Sequence, residues 1–459
     1  MTEKEILKIV GTQKDFFRSG KTLDVSFRIT HLKKLYDVIK QKEDKIVGAL
    51  YKDLGKSKSE AYMCEIGLVL NEISYMLKHI KNWTKPRKKR SPLSQFKAVS
   101  FTITEPYGTV LVMSPWNYPF LLSLDPLVEA IAAGNTVIIK TSEYSPYTNE
   151  IVKEITEDVF DPKYATVIFG GIIENQTLIH APVDYIFFTG SKKVGRIVYE
   201  AASKMGIPVT LELGGKSPCI VDRSAKIELT AKRIIFGKLL NLGQTCVAPD
   251  YILVKREVHD KLIEALKKEI IKQYGSNYLA SPNYGKIIDY EHFKRVISLL
   301  DEQKIIYGRG YNEELLKIEP TILDNVSYSD KVMQEEIFGP ILPVIVYDDI
   351  SEVIDYINSH DAPLACYIFA RNKKLINYLI KQIGFGGGCI NDTLIHLSSS
   401  YLGFGGFKES GLGSYHGKAG FYTFSHTKSI IDKKLWIDLP MRYSPYSKGK
   451  DRIIHKFLK

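Results

Sequence analysis

Apolar residues recur every three or four positions from residue 1 to about residue 81, as in Leu32, Leu35, Val38 and Ile39 and again in Ile66, Leu70 and Ile73. That spacing lines one face of a helix and predicts a helical leading region. A basic, proline-bearing stretch at 85–93 breaks the periodicity, and residues 96–105 alternate in the manner of an exposed strand. Together they predict an excursion between domains. From 107 to 213, short apolar runs at 109–113, 136–139, 166–169, 185–188 and 209–213 alternate with helix-like segments. Continuous runs of this kind suit strands buried on both faces, so the pattern predicts βαβ units around a parallel sheet. A nucleotide would sit at the carboxyl ends of such strands. A second alternating region at 216–392, with runs at 251–254, 341–346 and 367–369, predicts a second α/β domain. The glycine-rich stretch 384–417 has aromatic residues interspersed and predicts tight turns rather than flexible linker.

Composition narrows the class. A chain of 459 residues suits two or three domains, and 44% hydrophobic with 25% charged residues excludes a disordered or fibrous protein. No run of 18 uncharged apolar residues is present, so no transmembrane segment is expected. The sequence after Met1 lacks the zones of a signal peptide, which makes the cytoplasm the expected location. Five cysteines, Cys64, Cys219, Cys246, Cys366 and Cys389, form no CxxC pair, so neither a disulfide framework nor a zinc site is expected, and no metal. The net charge of +11 comes mostly from scattered basic residues, which argues against a nucleic-acid partner. The exception, Lys85-Pro86-Arg87-Lys88-Lys89-Arg90, reads as a solvated connecting loop that steers anionic cofactor or substrate.

Five segments carry candidate chemistry. In Phe187-Phe188-Thr189-Gly190-Ser191-Lys192-Lys193-Val194-Gly195 a GxxxxG spacing joins an apolar run to a helix-like one. Free N–H groups at a helix start attract phosphate, and glycine permits close approach. Arg196 and Ile197 follow Gly195, so this is no Walker A loop. A similar-looking stretch, Gly411 to Gly417, follows no strand and is taken as a turn. Cys246 stands in Gly243-Gln244-Thr245-Cys246-Val247-Ala248-Pro249. Alone, a cysteine is more often a small buried hydrophobe. Here Gly243 permits a constrained backbone, and a helix start expected after Cys246 would lower the thiol pKa and stabilise an oxyanion. Acid–base candidates are Glu212, ending an apolar strand where desolvation raises a carboxyl pKa, and Glu336 in Glu335-Glu336-Ile337-Phe338-Gly339-Pro340. Asn117, held between prolines in Pro115-Trp116-Asn117-Tyr118-Pro119, is a candidate donor to a developing oxyanion, where a turn or capping role is the alternative.

The order Pro115-Trp116-Asn117, Lys140-Thr141-Ser142-Glu143, Phe188-Thr189-Gly190-Ser191, Leu211-Glu212-Leu213-Gly214-Gly215-Lys216, Gly243-Gln244-Thr245-Cys246 and Glu335 to Pro340 resembles the aldehyde dehydrogenase superfamily. The likeness runs from roughly residue 32 to residue 428. Ser414-Tyr415-His416-Gly417-Lys418, Thr423-Phe424-Ser425-His426 and Met441-Arg442-Tyr443 are similar to its class 3 branch, which handles fatty, aromatic and other apolar aldehydes. Membrane-bound relatives carry an apolar C-terminal anchor that has no counterpart at 455–459.

The resemblance implies an α/β fold of two Rossmann-related parallel-sheet domains plus a small β oligomerisation arm. It assigns 1–85 and 106–210 to an NAD(P)-binding domain, 211–391 to a catalytic domain, 86–105 and 392–440 to a bridging arm, and 441–459 to a tail. It further implies that Cys246 is the nucleophile, Glu212 the general base and Asn117 an oxyanion donor together with the Cys246 N–H. Ser191 and the Gly190 turn would meet a pyrophosphate, Lys140 and Glu143 the adenosine ribose, and Glu336 with Phe338 the nicotinamide side; Trp116, Gly195 and Leu213 complete the cofactor set. Glu336 is also a candidate proton carrier. NAD is the expected cofactor, with NADP as second candidate, and a homodimer is implied, its arm formed by 96–105 and 429–436. The substrate class would be an apolar medium- or long-chain, aromatic or terpenoid-type aldehyde. Two departures bear on cofactor and pocket: Thr141 stands where the family commonly has proline, and Phe407-Lys408-Glu409-Ser410 differs from the usual class 3 sequence. The competing readings are a semialdehyde-specific or CoA-acylating relative, an inactive binding protein of the same fold, and a thiol hydrolase. The joint presence of Cys246, Glu212 and Asn117 argues against inactivity, and no histidine stands in a motif suited to a hydrolase base.

Overall fold

The computed structural model describes residues 1–458, so Lys459 of the expected tail lies outside the described residues. Helices make up the first 83 residues, with Leu32, Leu35 and Ile39 of one helix and Ile66, Ile73 and Ile80 of a later pair turned into the core. The chain then forms β1 (Arg87–Lys89) and β2 (Ala98–Pro106), followed by β3 (Thr109–Met113), β4 (Thr136–Lys140), β5 (Ala165–Ile168), β6 (Tyr185–Gly190) and β7 (Val209–Leu213). Next come β8 (Pro218–Val221), β9 (Tyr251–Lys255), β10 (Ile305–Tyr307), β11 (Tyr311–Asn312), β12 (Lys317–Ile318) and β13 (Thr321–Leu323). The last strands are β14 (Ile341–Tyr347), β15 (Ala365–Phe369), β16 (Gly387–Ile390), β17 (Gly411–Leu412) and β18 (Ser425–Lys433).

Two large sheets result. One has the order β17-β7-β6-β3-β4-β5, parallel except for β17, and the other β10-β13-β14-β9-β8-β15-β16, parallel except for β10. All five residues of β3 and of β4 are buried, which is why both read as unbroken apolar runs. In the first sheet β3 is flanked by β4 on one side and β6 on the other, so the strand order reverses there and a crevice opens at the strand ends. The helix Leu121–Ala133 is buried all round, which its mostly apolar sequence permits. Its two acids, Asp125 and Glu129, are buried with Glu72 and His416. Glu129 accepts from the His416 N–H at 2.7 Å, Glu72 from the Gly417 N–H at 2.8 Å, and His416 Nε2 stands 3.3 Å from Asp125. Burial pushes Asp125, Glu129 and Glu72 up and His416 down to about 3, so burial disfavours the charged form of both partners in that contact.

Three expectations are corrected. The basic stretch around residues 85–90 is no simple loop: Arg87–Lys89 form the edge strand β1, and the third sheet has the order β1-β2-β18. The turn assigned to 411–417 includes β17, whose Gly411 pairs antiparallel with Glu212. The strand expected at 429–436 is Ser425–Lys433, pairing with β2 over its whole length and ending before Trp436. Among the described residues no helix is long and apolar enough to cross a membrane.

Candidate active site

A cleft of about 1000 Å³ opens where the strand ends of the two large sheets meet. Cys246, Glu212 and Asn117 all line it. So do Trp116, Gly190, Ser191, Leu213, Glu336 and Phe338. Lys140, Glu143 and Gly195 do not. Lys140 is buried at the end of β4 with its Nζ on the Thr141 carbonyl at 2.6 Å, and burial lowers its pKa. Glu143 is exposed in the following loop. Gly195 serves packing: a Cβ there would stand 2.5 Å from Leu213, so its absence lets the helix Lys192–Met205 lie against β7.

Cys246 is partly exposed in a turn closed by the Ala248 N–H on the Thr245 carbonyl at 2.9 Å. The helix start expected after Cys246 is absent; the chain turns and runs into β9. Burial raises the Cys246 thiol, the Glu336 and Glu212 carboxyls add to the rise, and only the Cys246 and Val247 N–H groups oppose it. The lowering expected from a helix start therefore has no helix to supply it. The approach to this turn is strained, with Asn241 and Leu242 at φ 50° and 52° and Gly243 at 75°. Glycine is required at 243, since a Cβ would stand 2.4 Å from the Gly339 carbonyl oxygen. Hydrogen bonds hold the strain: the Asn241 N–H donates to Glu60 at 2.7 Å, and Gln244 Nε2 donates to the Asn241 and Lys286 carbonyls at 3.0 Å each.

Glu212 stands at the end of buried β7, and neither of its carboxylate oxygens has a hydrogen-bond partner among the described residues. Burial alone lifts its pKa well above the ordinary carboxyl value. Asn117, in the loop after β3, donates from Nδ2 to the Gln244 carbonyl at 3.1 Å, two residues before Cys246. One amide N–H is used this way and the second stays available. Glu336 lies against the Gly214–Gly215 loop, and burial, then the Asp250 charge, push it up to about 8.

The cleft also offers an anion cradle. Ser191 caps the helix Lys192–Met205, its Oγ accepting from Val194 N at 3.4 Å, while the other first-turn N–H groups have no partner within the helix. Lys192 and Lys193 line the same wall, and buried Thr189 Oγ1 has no partner among the described residues. This donor set fits the pyrophosphate of a dinucleotide. Several cleft residues escaped sequence reasoning. Arg295 fixes the loop bearing Glu336, donating to the Glu336 and Ile337 carbonyls at 3.2 and 2.7 Å, and Lys216 donates to the Val332 and Glu335 carbonyls at 3.0 and 2.8 Å. Trp116 meets Phe338 and His292 edge-on, with centroids 5.4 and 4.9 Å apart. Isolated basic residues on amphipathic helices carry no signal of such contacts; only Lys216, beside Gly214-Gly215, sat in a motif.

Residues 1–430 match the family described as the aldehyde dehydrogenase family. The chain is 50% identical to the 4,4'-diaponeurosporen-aldehyde dehydrogenase of Staphylococcus aureus, over 97% of each chain. It is 43% identical to aldehyde dehydrogenase family 3 member H1 of Arabidopsis thaliana, over 98% of this chain and 94% of that one. A solved structure, the substrate-bound state of Staphylococcus aureus AldH, superposes with a TM-score of 0.97 at 49% identity, covering 98% of this chain and 99% of the other.

Proposed function

The chain belongs to the aldehyde dehydrogenase family, and on that footing we propose that it oxidises a long apolar aldehyde of terpenoid type to the acid, with Cys246 as nucleophile, Glu212 as general base and Asn117 as oxyanion donor. That the protein is an NAD(P)-dependent oxidoreductase of aldehydes with class 3 relatives follows from the family itself. The finer reading rests on one observation above all: a buried carboxylate with no partner among the described residues, Glu212, lines the same cleft as a partly exposed thiol, Cys246.

The chemistry runs in two stages. The Cys246 thiol gives its proton to solvent and the resulting thiolate bonds to the aldehyde carbon, while the carbonyl electron pair moves to oxygen. The free Asn117 amide N–H and the Cys246 N–H receive that oxyanion. When bound, a nicotinamide would supply the hydride acceptor needed for oxidation of the thiohemiacetal to the thioester. Glu212 then removes a proton from water, the oxygen bonds to the acyl carbon, and the C–S bond breaks to return the Cys246 thiolate. Ser191, Gly190 and the helix start behind them would hold the pyrophosphate, and Glu336 with Phe338 the nicotinamide side. Lys140 and Glu143 stay assigned to the adenosine ribose, with NAD as primary cofactor and NADP as second.

The terpenoid assignment comes from the 50% identity to an enzyme named for diaponeurosporenal. A CoA-acylating reading is disfavoured because such an enzyme has no use for the Glu212 base. Initial rates of NADH and NADPH formation with short, aromatic, long-chain and polyene aldehydes test the proposal. The polyene or long-chain aldehyde should give the highest kcat/KM, and a preference for short or charged semialdehydes would overturn it.

A further inference from the structure

Beneath the loop that carries Asn117 lies an ion pair from which water is wholly excluded. Lys56, in the link between the helices Glu43–Leu54 and Lys58–Ala61, and Glu65, in the π-helical segment Tyr62–Ile66, are both 0% exposed, with Lys56 Nζ 2.5 Å from Glu65 Oε1. Burying two charges is costly and adds little stability compared with an apolar pair of similar shape. The placement of this pair needs another account.

Each member grips one end of the Asn117 loop. Lys56 Nζ donates to the Asn117 carbonyl at 3.0 Å and stands 3.9 Å from the centre of the Tyr118 ring. The other oxygen of Glu65 accepts the Phe120 and Leu121 N–H groups at 2.9 and 3.1 Å, capping the helix Leu121–Ala133 on which the loop ends. Asn241 Nδ2 supplies the second bond to the Asn117 carbonyl, at 2.8 Å, and also donates to the Gln244 carbonyl at 3.0 Å. Tyr118 Oη and Thr245 Oγ1 are 2.7 Å apart. The Asn117 loop and the Cys246 turn are thereby tied at Gln244 and Thr245, and Lys56 is the only charged donor to the Asn117 backbone among the described residues.

We propose that Lys56 and Glu65 are positioning residues for aldehyde oxidation, holding the Asn117 amide against the Cys246 turn so that its free N–H meets the developing oxyanion. The proposal rests on Asn117 being the oxyanion donor. Neither side chain touches the cleft, so both act through Asn117. A displacement of about 1 Å in such a donor costs on the order of 100-fold in rate.

The test is pre-steady-state NADH formation in Lys56→Met/Glu65→Gln, which removes both charges yet keeps an acceptor for the Phe120 and Leu121 N–H groups. The burst rate should fall about 10- to 100-fold while the KM for NAD and the rate of Cys246 alkylation by iodoacetamide stay within twofold, because neither needs the oxyanion donor. If that variant does not fold, Lys56→Met alone is measured, since Glu65 with two N–H donors and a carboxyl already raised by burial can take up a proton. In an Asn117→Ala background the same changes should add no further loss. Losses that multiply in that background, or a full burst rate in the folded double variant beside a slow Asn117→Ala enzyme, would overturn the positioning role alone. An unimpaired Asn117→Ala enzyme would remove the oxyanion reading and this proposal together.

Discussion

The Glu336 carboxylate lies so close over Gly214 that a Cβ on that glycine would stand 2.0 Å from Glu336 Oε2. The loop after β7 and the Glu336 loop are fitted to each other at this point, with Arg295 and Lys216 tying the second loop down from behind. Gly214→Ala should push the Glu336 side chain from its place. Its expected effect is a rise of about tenfold in the KM for NAD with a smaller change in aldehyde KM, measured by initial rates. Equal rises in both would argue against Glu336 serving the cofactor.

Cys246→Ala should abolish aldehyde-dependent NADH formation, a loss of more than about 1000-fold, while cofactor binding followed by fluorescence quenching stays within a few-fold. Retained turnover would remove Cys246 from the mechanism.

Glu212→Gln should keep the first turnover and lose the later ones: a stoichiometric burst of NADH followed by thioester hydrolysis slowed on the order of 100-fold or more. Rapid-quench detection of acyl-enzyme by mass spectrometry checks it. An unchanged steady state would assign the water-activating step elsewhere.

Both the Cys246 thiol and the Glu212 carboxyl are raised by burial. Each works in its deprotonated form, so below its raised pKa each is switched off and activity should climb as pH rises. Cys246 alkylation by iodoacetamide in the absence of cofactor should show the same climb on the alkaline side of neutrality. A profile already flat from about pH 6 would mean that the thiolate is stabilised after all, by contacts other than those of the Cys246 and Val247 N–H groups.

The buried acids predict a trend in stability as well. Asp125 and Glu129 are raised when folded, chiefly by burial and then by neighbouring carboxyls, so above their ordinary values the folded chain holds protons that the unfolded chain releases. Stability contributed in this way is intact in acid and is lost as pH rises, by up to about 1.4 kcal/mol per pH unit for each such proton. Glu129→Gln, which keeps an acceptor for the His416 N–H, should flatten that slope in urea unfolding measured from about pH 6 to 9. A slope equal to that of the parent would mean that Glu129 is ionised in the folded protein.

The strands were legible where burial on both faces leaves a continuous apolar run, and β3, β4, β6, β7, β9, β14 and β15 fall within a residue or two of the runs that announce them. Strands β16 and β17 were not, because Gly387, Gly388 and Gly411 carry no side chain to reveal burial. Their backbones approach too closely for one: a Cβ on Gly388 would stand 2.0 Å from the Cys366 carbonyl oxygen. Most of the motif residues, though not Lys140, Glu143 or Gly195, meet in the cleft, because glycines and prolines mark the loops that build it. Lys56 and Glu65 stayed hidden because a buried charge looks like a surface charge in sequence. The turn at Cys246 was mistaken for a helix start because the strain at Asn241 and Leu242 is imposed by partners far along the chain.

Strand β18 leaves a nine-residue outer edge with Ile430 and Ile431 exposed, an open row of backbone donors and acceptors suited to the homodimer that the family resemblance implies. Ile430→Glu/Ile431→Glu should shift gel-filtration mass toward the monomer, and an unchanged elution position would place the subunit contact elsewhere.

The pairing of Gly411 with Glu212 sets an order of events during synthesis. The strand carrying Glu212 leaves the ribosome about 200 residues before the segment that closes its edge, and until then β7 is an open border of the sheet, wetted by solvent. A carboxyl in water titrates at its ordinary value and binds water no differently from any surface acid. A chain that ends before residue 411 lacks the strand that covers the Glu212 edge of the first sheet, and the proposed base then faces solvent.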